Sequence, residues 1–251
     1  MRLDQNFKFH ADDVGRTAKT VHATRKLAEQ GCLEGYSVLA NSPVLSEVVK
    51  LHQDYPHVPV SLHFNIVSGP SSKGISSLTD ASGIFRLPYA EAQGFWGPLL
   101  RMKSFAFMII FHRFKGADVQ AEMEAQIFAL QKAGISLSGI DSEQHLHAYS
   151  PLADWVASAG RSHRLKVRQL RDWQIKSLWG RVRFWLFAIS VFVLRVLREG
   201  VFTMPPTWRA QGRSYVVASW ERIDLQSHDP AVTIECHPGT DFDEYLWEQL
   251  K

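Results

Sequence analysis

Short runs of β-branched and aromatic residues recur along this chain, each followed by a helical pattern, at a spacing of about 25–30 residues. That alternation constrains the fold more than any single motif. Parallel strands must be joined by long crossovers, usually helices, and a crossover follows nearly every strand pattern here. The strand patterns fall at residues 6–10, 36–39, 58–63, 137–141, 165–168, 215–218 and 232–236. Helical periodicity covers residues 16–30, 117–133 and 151–159, the first two closed by Gly31 and Gly134. A further helix starts after Asn41-Ser42-Pro43, where Ser42 suits the N-cap and Pro43 the first turn, and residues 241–251 begin another. The expectation is one α/β domain over residues 1–251 with a mainly parallel sheet, arranged as a distorted or incomplete (β/α) barrel. An open doubly wound sheet is the rival, and no GxGxxG or GxxxxGK[ST] favours nucleotide binding.

Composition narrows the function classes. At 251 residues, 45% hydrophobic and 21% charged, the chain can bury a full core. A net charge of +3 without a dense Lys/Arg block argues against nucleic acid. Cys32 and Cys236 form no CxxC, so neither a disulfide framework nor a thiolate zinc site is indicated, and both read as small buried hydrophobes. No basic-then-apolar leader opens the sequence, which makes a cytoplasmic location the expectation. Two segments stand apart. Residues 65–105 are rich in Gly, Ser and Pro and read as a loop insertion over a site. Residues 178–199 form an apolar segment whose charge-free part, 184–194, is flanked by Arg181, Arg183, Arg195 and Arg198. They read either as a buried helix with solvent-facing arginines or as an interfacial helix giving peripheral membrane contact through 179–198.

The chemistry gathers at strand ends. Asp12 and Asp13 close the first strand, His63 and Asn65 the third, and Asp141, Glu143, His145 and His147 follow the fourth with period-two spacing. Glu235 and His237 end the last. In a parallel sheet these ends share one edge, the edge where α/β folds bind ligands. Two adjacent carboxylates repel unless a cation is present. A row such as Asp141, Glu143, His145 and His147 is not buried without counter-charge. Imidazole and carboxylate without thiolate suit zinc, magnesium, manganese or another divalent ion.

These stretches resemble the YdjC-like carbohydrate deacetylases, a family that includes chitooligosaccharide deacetylase and a hopanoid-biosynthesis-associated member. The resemblance is carried by Ala11-Asp12-Asp13-Val14-Gly15 (ADDFG in the family), Asn41-Ser42-Pro43 and Leu62-His63-Phe64-Asn65. It continues through residues 139–147, where the family has DSHQHxH, and Glu235-Cys236-His237-Pro238-Gly239. It implies a distorted barrel and a divalent-metal-dependent hydrolase, with magnesium or zinc, that removes N-acetyl groups from an amino sugar on an oligosaccharide or glycolipid. By position, Asp13 and His63 become metal ligands. The third ligand position holds Glu143 where the family has histidine, with His145 or His147 as substitutes if the register shifts. His10 and Val14 are further departures, from asparagine and phenylalanine.

On that reading Asp12 is the general base and His237 the general acid, with Glu235 or Asp141 orienting a histidine. Asp141, His145, His147, Glu235 and Asn65 line the substrate or support the ligands. Phe95 and Trp96 in the insertion offer a sugar-stacking wall. The chain is compatible with a homodimer. One alternative is a catalytically silent sugar- or lipid-binding relative that has lost the metal through Glu143. Another is a metal-dependent phosphoesterase, or a glycosidase using Asp12 with Asp141.

Overall fold

The computed structural model describes residues 8–85, 115–148, 151–168, 189, 192–193, 195–196, 217–219 and 233–239. Among them, seven strands form one sheet: β1 (Lys8–Val14), β2 (Leu33–Val38), β3 (Val60–Phe64), β4 (Leu137–Ser142), β5 (Lys166–Val167), β6 (Val217–Ser219) and β7 (Thr233–Cys236). The connections carry α1 (Ala18–Glu29), α2 (Leu45–Asp54), α3 (Gly116–Lys132) and α4 (Leu152–His163). Every strand pairing is parallel, in the order β5-β4-β3-β2-β1-β7-β6. Read as a ring, that order is the chain order, opened between β5 and β6. This is an incomplete (β/α) barrel; a doubly wound sheet would reverse its strand order at a switch point.

The strands β1 to β4 each have an apolar and a polar side, and register aligns them. Phe9, Ala11, Tyr36, Val38, Leu62, Phe64 and Ile140 are buried and pack against the helices through residues such as Val21, Leu51, Met123 and Val156. The alternate positions face the other way: His10 pairs with Glu235, Ser37 with Ser61, and His63 with Asp141. All six are buried. The core therefore lies between sheet and helices, and the opposite face of the sheet carries ionisable groups.

Local chemistry fixes the turns at the site edge. Thr17 caps α1 reciprocally with Thr20, and Thr20 Oγ1 also accepts from Gly15 N at 3.1 Å. Gly15 sits at φ +96°, and a Cβ there would meet Ser42 Oγ at 2.7 Å. Ser42 departs from its expected role. Its hydroxyl donates to Gly15 O at 2.7 Å and accepts from Val44 N at 3.1 Å, and α2 starts at Leu45 without a side-chain cap. The stretch Asn41-Ser42-Pro43 thus ties two strand-end turns together.

The start of the 65–105 insertion is well anchored. Buried Glu122 of α3 accepts from Ser71 Oγ and from the backbone of Ser72 and Lys73, while Gln126 bonds both sides of the Asn65 peptide. Phe95 and Trp96 lie outside the described residues. So does most of the apolar segment, of which residues 189, 192–193 and 195–196 are helical. Arg195 is buried, 3.6 Å from Asp154 on α4, rather than facing solvent as expected of an arginine flanking that segment. No described helix is long and apolar enough to cross a membrane. Cys32 and Cys236 are both buried and form no disulfide, as their sequence context suggested.

Candidate active site

The ends of β1, β3, β4 and β7 meet at one edge. Adjacent residues on an extended strand point to opposite sides, so Asp12 and Asp13 need a break to share a site. Asp13 supplies it by taking a left-handed conformation, φ 58°, and the β1–β2 register shifts between Ala11 and Val14. Gln144 and His145, both at φ 54°, make the second break, immediately after β4. Three of the four positive-φ non-glycine residues among those described thus lie in two site segments. Such backbone persists where surrounding structure holds it, and it concentrates at functional sites.

The second break corrects an expectation. The period-two row after β4 is not extended beyond Ser142, so its four side chains do not share one face. Asp141 stays on the inner face against His63. Glu143 turns to the rim. His145 Nε2 reaches to 3.7 Å from Glu235 Oε1. His147 is buried, with Nδ1 2.7 Å from Ser142 Oγ and its backbone N–H donating to the same oxygen at 2.8 Å.

Two layers can be distinguished. The inner layer is a buried ionic network. Arg168, at the end of β5, donates to both oxygens of Asp12 at 2.6 and 2.5 Å. It also lies 2.8 Å from Asp141 Oδ2 and donates to Ser37 Oγ at 3.2 Å. Ser37 in turn donates to Asp141 at 2.5 Å and sits 2.8 Å from His10 Nε2. Burial opposes charge on Asp12, but the Arg168 guanidinium outweighs it and holds the carboxyl well below its usual range. Asp141 is lowered in the same way by Arg168 and His63, against its own burial. Burial first, then Arg168, lowers His10 to about 4, so it is neutral. Burial similarly lowers His147 to about 3.

The outer layer is more exposed. His63 Nδ1 is 2.6 Å from Asp141 Oδ1, and its Nε2 faces Asp13 Oδ1 at 3.3 Å. Burial disfavours the imidazolium, yet Asp141, Asp13 and Asp12 raise His63 well above its ordinary value. Arg16 bridges two carboxylates, donating to Asp13 Oδ1 at 2.9 Å and Glu143 Oε1 at 2.8 Å. The other oxygen, Glu143 Oε2, is buried with no hydrogen-bond partner among the described residues. Burial raises Glu143 despite Arg16. His237, half-exposed, lies 3.9 Å from Glu235 Oε1. Partial burial pulls His237 down, but Glu235, Asp12 and Asp13 raise it overall. Asn65 serves the loop: its Oδ1 accepts from Val67 and Ser68, and its Nδ2 donates to Ser68 O and Asn41.

These donors suit a divalent ion. Two bonds of about 2.1 Å at a tetrahedral angle separate their ligand atoms by roughly 3.4 Å, and Asp13 and His63 meet that spacing. The partnerless Glu143 Oε2 supplies a further donor. The set is not closed, however. Among the described residues, the groups with ligand atoms all within 4.8 Å of one another are His10/Asp12/Asp141 and Asp12/Glu235/His237. Arg168 already fills the first with its own charge.

Arg168, Ser37 and Arg16 were not legible as site residues. The available signal for Arg168 was charge balance, since it is the basic end of a strand that follows the acid-rich end of β4. Arg16 follows Gly15 in the turn, and nothing in the sequence marks its side chain.

The family model for YdjC-like proteins matches residues 7–249. A carbohydrate deacetylase of Oceanobacillus iheyensis is 29% identical over 67% of this chain and 64% of its own length. One from Halalkalibacterium halodurans is 24% identical over 92% of this chain and 83% of its own. A carbohydrate deacetylase of Vibrio cholerae is 24% identical over 64% of this chain and 58% of its own. In fold, the chain is similar to a crystal structure from Enterococcus faecalis V583, a protein assigned to cellobiose-phosphate cleavage. The TM-score is 0.53 and the identity 16%, over 92% of this chain and 80% of that one.

Proposed function

Because the chain belongs to the YdjC-like family, we propose that it is a carbohydrate deacetylase hydrolysing the N-acetyl group of an amino sugar, carried on an oligosaccharide or a glycolipid. The observation that carries this reading is the meeting of Asp13 and His63, 3.3 Å apart, beside Asp12 and His237 on one sheet edge. The relatives named carbohydrate deacetylase support the substrate class.

Asp13, His63 and Glu143 would hold a divalent ion, magnesium or zinc. When bound, it supplies Lewis-acid polarisation of the acetamide carbonyl and lowers the pKa of water. The chain's own residues supply the proton transfers. Asp12 accepts a proton from the attacking water. Arg168 makes Asp12 a weaker base but fixes both its oxygens in direction, and orientation is itself a large part of such catalysis. His237 donates to the leaving amine; Glu235, Asp12 and Asp13 raise its pKa and so favour the protonated form, and its half-exposure leaves it within reach of substrate. Glu235 stands between His145 and His237 and orients them.

The test is acetate release from N-acetylated chito-oligosaccharides by metal-stripped protein, with divalent ions added back. Asp13→Ala, His63→Ala and Glu143→Ala are each expected to abolish the ion-dependent rate. Full activity in all three variants would overturn the assignment. A second reading is a silent sugar- or lipid-binding relative, and Arg16 lying between Asp13 and Glu143 favours it. Elemental analysis separates the two: that reading requires no bound metal and no response to added ions.

A further inference from the structure

We propose that Arg16 is a built-in competitor for the divalent ion, an internal cation that neutralises Asp13 and Glu143 until an ion displaces it. The inference rests on the metal-dependent reading above and concerns how that site loads. Two buried or half-buried carboxylates beside one another are unstable without positive charge. Arg16 supplies that charge through one nitrogen shared between the two, at 2.9 and 2.8 Å. In doing so it keeps Asp13, His63 and Glu143 from forming a closed ligand cluster, although Asp13 and His63 already stand at ligand spacing. Glu143 Oε2 is left buried without a partner, which an ion would relieve and Arg16 does not.

The position of Arg16 suits a displaceable group. Its backbone is fixed in the strand-to-helix turn, where Arg16 N donates to Asp13 O at 3.0 Å, just before the Thr17 cap. Its side chain, by contrast, is 39% exposed and can leave by rotation alone. Asp13 and Glu143 are 20% and 8% exposed and stay behind. Apparent affinity falls by the fraction of molecules that are binding-competent, so an Arg16 seated on the carboxylates nine-tenths of the time weakens ion binding about tenfold.

The experiment is a titration of metal-stripped full-length protein with Zn2+ alone, and separately Mn2+, at fixed pH against a chromogenic chelator. Wild type is compared with Arg16→Met, Arg16→Gln and the double variant Arg16→Met/Glu143→Gln; Arg16→Gln keeps a polar side chain should the methionine variant fail to fold. Both single variants are expected to bind about tenfold more strongly than wild type, and the gain is expected to vanish in the Glu143→Gln background. Metal-free Arg16→Met should melt below metal-free wild type, with the gap closing on Zn2+. Ion binding by wild type that the Arg16 variants leave equal or weaken overturns the competitor role and leaves the metal reading intact. No uptake by any variant overturns both.

Discussion

The inner and outer layers of the site are built from the same residue types and behave differently. Inside, His10, Ser37, Asp12, Asp141 and Arg168 are buried; most of their contacts run 2.5–2.8 Å, with Arg168–Ser37 at 3.2 Å and His10 at 3.6 and 3.9 Å from Asp12 and Asp141. At the rim, Asp13–His63, His145–Glu235 and His237–Glu235 stand at 3.3–3.9 Å, Arg16 holds Asp13 and Glu143 at 2.9 and 2.8 Å, and one oxygen of Glu143 has no partner among the described residues. A buried charge network must be complete to be tolerable, because a half-satisfied one costs more than an apolar core. The inner layer meets most of that demand within the chain, through Arg168 and Ser37. The rim leaves donor capacity for something else. On the proposed mechanism, the inner network holds the site's shape and orients Asp12, the proposed base, while the rim groups are the ones left open to an ion.

The sharpest break of this division is Arg168→Met. It strands two buried carboxylates, and a loss of about 3–5 kcal/mol is expected in urea unfolding. Arg168→Lys should restore little of it, since lysine cannot reproduce the bidentate contact to Asp12. A loss under about 1 kcal/mol would mean that the inner network is not structural.

Rim substitutions should do the reverse. Asp13→Asn is expected to lower acetate release about a thousandfold, equivalent to roughly 4 kcal/mol of barrier, with stability within about 1 kcal/mol of wild type. Equal losses in both measurements would erase the boundary between the layers.

The third test is acid stability. His10 titrates near 6.5 when unfolded and about 4 when folded, so the unfolded chain binds more protons between those values. Stability therefore rises with pH across that window and is lost as pH falls through it. His147, lowered to about 3, acts with the same sign. Replacing the inner-layer histidine, His10→Asn, should flatten the acid limb of the stability curve by on the order of 3 kcal/mol at most. An unchanged limb would show that His10 is not held neutral.

The smallest effect is expected at Asn65, whose side chain serves the loop. Asn65→Ala should cost about 1 kcal/mol in stability and less than tenfold in rate. A hundredfold loss of rate without loss of stability would move Asn65 into the rim.

The sequence carried the scaffold well. All seven strands overlap the runs expected for them, with β1 reaching on to Val14 and β2 starting earlier at Leu33, because the apolar side of β1 to β4 is written at period two against the helices. The convergence of Asp12, Asp13, His63, Asp141 and Glu235 on one edge was legible for the same reason. Single dihedral breaks were not. Asp13, Gln144 and His145 are ordinary residues in left-handed backbone, and those three turns decide which neighbours share a face. The counter-charge was anticipated but not its source. A crowd of carboxylates calls for cations, and the chain answers with Arg168 and Arg16, both distant in sequence from some of the acids they meet.

The most direct test of the central claim is anomalous diffraction from crystals soaked in Zn2+ or Mn2+. The account predicts a peak within ligand distance of both Asp13 Oδ1 and His63 Nε2, with Glu143 turned toward it and Arg16 withdrawn. A peak held instead by Asp12, Glu235 and His237, or none at occupancy-saturating metal, would contradict it.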